Sequence, residues 1–272
     1  MAASARYNRY PGPDSPLENG RFLRPGTHMP RPRRISWGEV IALANPAVTV
    51  NTMTLQNDMK VDGVTVLTYR IEFPKFAAQA YQMALFIINQ HYRAEALEFQ
   101  SHVERELYPQ AVAQYRDSVA NGTPVMVYEA LVTFHVTYND CCIISLYTDA
   151  YEFTGGAHGN TERESQTWNL QKRRELELSE LFGCDLNPEQ YILAAVRSAI
   201  AADPNSYFEN YEELIAENFD DDHFYCTPQG IVVYYEQYEI APYASGIPEF
   251  LIPYTNCVYD PKRTCFVRSM RV

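Results

Sequence analysis

No stretch of the 272 residues is apolar for long enough to cross a membrane. The most apolar short run, Met83 to Ile88, falls far short of the ~20 residues that ~30 Å of hydrocarbon requires. The chain also has no CxxC spacing, G-x-S-x-G elbow, HExxH helix or Walker loop, so it lacks the commonest sequence signs of metal, serine-hydrolase and phosphate chemistry. Positive charge is scarce: 22 Lys and Arg stand against 34 Asp and Glu, for a net charge of -12. The scarcity is uneven, because residues 1–45 hold seven arginines against three acids, a net +4 that leaves -16 for the remainder. A body this acidic repels phosphate backbones, so nucleic acid is not an expected partner. The first residues, MAASARYNRYPGPDSP, lack the apolar core of a secretory signal, and the six cysteines lack the pattern of a disulfide framework. Both observations predict reduced, buried thiols and a cytoplasmic setting.

A chain of this size buries roughly three quarters of its unfolded surface, enough for a core without metal or disulfide staples. Its 21 tyrosines are the unusual part of the composition, and they suit strand faces and contact surfaces. Residues 1–45 repeat Pro, Gly and Arg without hydrophobic period and read as an irregular, arginine-rich head. That head is either a solvated tail or a contact for an acidic partner. Beyond it, the β-branched runs 47–56 and 64–73 flank the turn signal Asp62-Gly63 and predict a hairpin.

An apolar stripe through Tyr81, Leu85, Ile88, Tyr92, Ala96, Phe99, Val103 and Leu107 predicts one long helix. Pro109 should kink or restart it, and Asn121-Gly122 should close it. Two more strands are expected around a joint at Asn139-Asp140, the second beginning at Cys141-Cys142. Strands around Gln171-Lys172-Arg173 follow, then a helix capped by Asn187, an acidic helix near 207–219, and a hairpin turning at Pro228-Gln229-Gly230. Residues 235–254, with Pro242, Gly246, Pro248 and Pro253, read as an irregular loop. Strands and helices in blocks rather than in alternation predict an α+β fold. Its mostly antiparallel sheet would pack with one long and two shorter helices in two subdomains, 46–145 and 146–272.

Two loops are the candidate site. "YEFTGGAHGN" (151–160) ends a strand with Gly155, Gly156, His158 and Gly159. The glycines either bare the backbone for a ligand or let the strand turn sharply, and the second reading is preferred. His158 could act as a general base, but no acidic residue stands at a spacing that demonstrates a shared site. The second loop is studded with Tyr238, Pro242, Tyr243 and Gly246, a rigid aromatic surface suited either to docking or to capping the core. The run Asp220-Asp221-Asp222-His223 has no EF-hand spacing and reads as a solvated loop. Neither metal nor cofactor is expected.

Together, "YEFTGGAHGNTERESQTWNLQKRRELELSELF" and "GIVVYYEQYEIAPYASGIPEFLIPY" resemble the domain of unknown function of RsiV-type anti-sigma factors, also found beside peptidoglycan deacetylase domains. The resemblance covers residues 47–256. It implies binding rather than catalysis, since in RsiV-type proteins this extracellular region recognises lysozyme. The expected function is thus a soluble, non-enzymatic module for a protein, lysozyme-like and basic, or for a cell-wall fragment. Its contacts would be Gly155, Gly156, His158, Tyr238, Pro242, Tyr243 and Gly246. The alternative is a glycan- or peptide-acting hydrolase using His158 with an acidic partner.

Overall fold

In the computed structural model, which describes residues 48–266, strand β1 (Thr49–Val61) turns at Asp62-Gly63 into β2 (Val64–Ala77). Both turn residues have positive φ, 52° and 81°, the left-handed pair that a tight hairpin needs. The arginine-rich head expected over 1–45 lies outside the described residues. A helical rod then crosses over the sheet, so that β3 (Tyr128–Asp140) returns parallel to β2. Strands β4 (Ile143–Phe153), β5 (Asn160–Asn169) and β6 (Arg174–Glu175) extend the sheet antiparallel, in the order β1-β2-β3-β4-β5-β6.

The rod is interrupted, as Pro109 foretells. Helix α1 (Gln82–His102) passes through a π-helical turn, Val103–Leu107, into α2 (Tyr108–Asn121). The cause is legible in the spacing of buried residues: Phe99, Val103, Leu107 and Ala111 recur at strict four-residue steps. In a plain α-helix each such step rotates the stripe by about 40°, carrying it off the sheet. The wider π turn absorbs that drift. Tyr108 N–H bonds the Val103 carbonyl, and Pro109, which has no N–H to give, sits in the first turn of α2.

A second sheet of β7 (Phe224–Cys226), β8 (Gly230–Tyr234) and β9 (Glu249–Pro253) lies antiparallel throughout. It shares a core with α3 (Pro188–Ile200), α4 (Tyr211–Glu217) and the neighbouring parts of β3, β4 and α1. Hydroxyls join the sheets. Thr137 Oγ1 donates to the Cys226 carbonyl at 2.7 Å, Ser145 Oγ accepts from Cys226 N–H at 2.9 Å, and Ser165 Oγ donates to the Phe224 carbonyl. The α+β class, the mostly antiparallel pairing and the single long rod agree with expectation.

Three expectations are corrected. Cys141 and Cys142 do not open a strand but form the β3–β4 turn, with Cys141 at φ 57°. Residues 249–253 are strand β9 rather than loop; Pro253 is tolerated because β9 is an edge strand, where one missing N–H faces no partner. Finally, the thiols are not all reduced: Cys142 bridges Cys265 and Cys184 bridges Cys257, with Cα separations of 5.9 and 5.5 Å. Free Cys141 is exposed and free Cys226 is buried. Sequence spacing hid the pairing because the partners lie 123 and 73 residues apart. No helix among the described residues is long and apolar enough to cross a membrane.

Candidate functional site

The glycine stretch is the β4–β5 connection, and its glycines turn and pack the chain. Gly155 and Gly156 have φ near 100°, a region closed to most side chains. At Gly159 a Cβ would lie 2.4 Å from the Glu152 carbonyl oxygen and from the Tyr151 ring, so only hydrogen fits. The architectural reading of these glycines fits this geometry.

The second loop, 235–248, runs beside the start of β5 and bonds to it through side chains. Glu236 Oε1 accepts from Arg163 N–H at 3.0 Å, and Gln237 Oε1 accepts from Thr161 N–H at 3.0 Å. One step further, the Tyr238 hydroxyl lies 3.1 Å from His158 Nε2. His158 Nδ1 faces the Gly159 carbonyl at 3.1 Å, which can only accept, so Nδ1 carries the proton and Nε2 accepts from Tyr238. The imidazole stacks on Tyr243, with centroids 3.8 Å apart and planes 14° off parallel. Tyr238 and Tyr243 lie 5.9 Å apart, completing a three-ring cluster.

Backbone geometry aims these rings. Tyr238 has φ 68°, and Gly246 closes the 3-10 turn Tyr243–Ser245 at φ 72°, ψ -147°, a conformation open essentially to glycine alone. Pro242, exposed, sets the start of that turn. All seven residues singled out in the sequence therefore belong to two loops that touch through His158, Tyr238 and Tyr243. The rings remain accessible: Tyr238 is 48% exposed, His158 is exposed and Tyr243 is half-buried. A separate open hollow of about 710 Å³, lined by residues including Tyr254, Tyr259, Lys262 and Arg263, involves none of the seven.

Sequence reading missed Arg163, the residue that anchors this site. Its guanidinium is buried and binds Asp149 through two hydrogen bonds of 2.6 and 2.8 Å. It also pairs with Glu249 at the start of β9 and lies 3.8 Å over the centre of the Tyr147 ring. Tyr225 donates to the same Glu249 at 2.9 Å. Despite its burial, this guanidinium is held firmly charged by Asp149 and Glu249. The only sequence signal is register, since Arg163 and Asp149 become visible as partners once β4 and β5 are aligned.

Glu236 was also missed. Burial pushes its carboxyl up to about 8, helped by neighbouring Glu239 and Glu162 and opposed by the Arg163 amide and guanidinium. Its second oxygen, Oε2, has no hydrogen-bond partner among the described residues. The three aspartates of 220–222 sit within 4.8 Å of one another, and Asp220 Oδ1 caps the Asp222 amide of its own turn at 2.9 Å.

Comparison with known proteins gives two family matches. Residues 63–161 match the family described as Deacetylase PdaC, and residues 179–255 match the Protein of unknown function (DUF3298). No curated protein matches the chain. Among solved structures, a DUF3298 family member from Bacteroides fragilis is similar with a TM-score of 0.56 and 22% identity, over 77% of this chain and 91% of that one. A DUF3298 family protein from Pseudomonas aeruginosa is similar with a TM-score of 0.50 and 17% identity, over 76% and 91%. At such identities the likeness is one of fold. His158 falls in the first matched region and Tyr238 and Tyr243 in the second, so the ring cluster forms where the two meet. The PdaC and DUF3298 matches stand side by side in this chain, an arrangement consistent with the RsiV-type domain of unknown function.

Proposed function

We propose that this protein is a non-enzymatic binding module whose contact surface is the ring cluster of His158, Tyr238 and Tyr243, framed by Gly155, Gly156, Pro242 and Gly246. The observation that carries the reading is the meeting of the two loops: three accessible rings are fixed by stacking and hydrogen bonding on a braced scaffold. Tyrosines held this way offer contact area at small entropic cost. The partner we infer is a basic protein of the lysozyme kind or a cell-wall fragment, whose sugar faces would lie against the rings. The acidic body favours the protein by charge complementarity. The hydrolase alternative draws less support, because Nε2 of His158 is engaged by a phenol and Nδ1 by a carbonyl, leaving no carboxylate to orient the ring as a base.

We further infer an oxidising compartment rather than the cytoplasm expected from the sequence, because two disulfides persist poorly among cytosolic reductants. Calorimetric titration with cationic lysozymes and with soluble peptidoglycan fragments tests the function. Saturable binding to one of them is expected, weakened at least about tenfold by Tyr243→Ala, as for an aromatic hot spot. Absence of binding to both classes, or binding indifferent to that substitution, would overturn the assignment.

A further inference from the structure

The β3–β4 turn holds three sulfurs, two in a bridge and one free. The Sγ atoms of Cys141, Cys142 and Cys265 all lie within 4.8 Å of one another. Cys142 and Cys265 are bonded, while Cys141 is exposed and carries a free thiol. A free thiol at that range from a disulfide is positioned to attack it once deprotonated.

We propose that Cys141 is a thiol–disulfide exchange site that moves the bridge on Cys265 from Cys142 to itself. The Cys141 thiol loses its proton to solvent, and the thiolate attacks Sγ of Cys265. An S–S bond forms between Cys141 and Cys265 as the Cys142–Cys265 bond breaks. The electron pair leaves on Cys142, which takes a proton from solvent. One thiol and one disulfide stand on each side, so neither oxidant nor reductant is consumed.

Two features direct the step. Attack on Cys142 instead would join adjacent residues, whose Cα atoms are ~3.8 Å apart across a trans peptide, below the ~4.4–6.8 Å usual for a bridge. Attack on Cys265 avoids that ring. The released Cys142 also has an acceptor in place, since its Sγ lies 3.6 Å from Asn169 Oδ1 and is fully buried. Exchange therefore trades an exposed thiol for a sheltered, hydrogen-bonded one and keeps the tether on Cys265. Cys226, whose buried thiol is pushed up to about 12, takes no part.

The test uses the purified chain held at pH 8 without reductant, acid-quenched, unfolded and alkylated with N-ethylmaleimide. Fragment-ion mass spectrometry then locates the label between residues 141 and 142. Label is expected on both Cys141 and Cys142, with Cys226 as constant internal reference. In Cys141→Ser, label on Cys142 should fall to background. Label confined to Cys141 in the wild type, or label on Cys142 unchanged in Cys141→Ser, would overturn the proposal.

Discussion

Arg163 and Glu236 occupy the same corner with opposite electrostatic fortunes. Arg163 is compensated by two carboxylates, so its removal would leave Asp149 and Glu249 facing each other without their cation. Arg163→Ala should therefore cost about 3 kcal/mol, the scale of breaking a buried pair by deleting one partner. Urea unfolding of the two proteins would show it as a lower midpoint. Glu236 is compensated only in part, by the Arg163 amide and guanidinium, and burial raises its carboxyl from 4.5 to about 8. Between those values the folded state holds a proton that the unfolded chain has lost, so stability falls as pH rises through the interval. Glu236→Gln should flatten that slope between about pH 5 and 8, read as the difference in melting temperature between variant and wild type. Gly159→Ala should cost about 2 kcal/mol through forced overpacking against Glu152 and Tyr151. At this scale the sequence is informative where a residue's own chemistry suffices, as with the glycines that turn and pack the β4–β5 connection. It is silent where a partner decides the matter. Arg163 lies within a polar run, and nothing local distinguishes it from the exposed arginines around it until strand register supplies Asp149.

Elements with strong periodicity or strong punctuation were readable in advance. The β1–β2 hairpin, the rod, the Asn187 cap and the β7–β8 turn all follow from local signals, and Asn187 Oδ1 does accept from Gln190 N–H at 2.9 Å. The π turn and β9 were not readable, for different reasons. A π turn differs from a helix by one residue in a stripe, and β9 ends in Pro253 and follows Pro248, residues that mark loops unless the strand is known to lie at an edge. The disulfides depend entirely on tertiary proximity. Cys184–Cys257 staples a short antiparallel pairing in which Gly183 N–H bonds the Cys257 carbonyl at 2.9 Å. By loop entropy each bridge should contribute about 4 kcal/mol. Adding a reductant to a denaturant titration should lower the unfolding midpoint markedly, and Cys184→Ser/Cys257→Ser should reproduce the part that belongs to the inner bridge.

Over the whole molecule, the dominant property is charge. With an acidic body and a ring cluster open to solvent, association with a basic protein should be steered by long-range attraction and screened by salt. Raising NaCl from about 50 to 300 mM should lower the association rate several-fold while changing the dissociation rate little, measurable by stopped-flow or surface-based kinetics. A ligand held chiefly by ring contacts, such as a neutral glycan, should show almost no salt dependence, which separates the two partner classes.

The two bridges are nested, with 184–257 lying inside 142–265. A protease that nicks the backbone between 185 and 256 leaves two fragments joined by both bridges, and a nick elsewhere between 142 and 265 leaves them joined by one. Such cleavage would be invisible on a non-reducing gel and would show two bands only after reduction. Damage to surface loops therefore need not release any part of the chain.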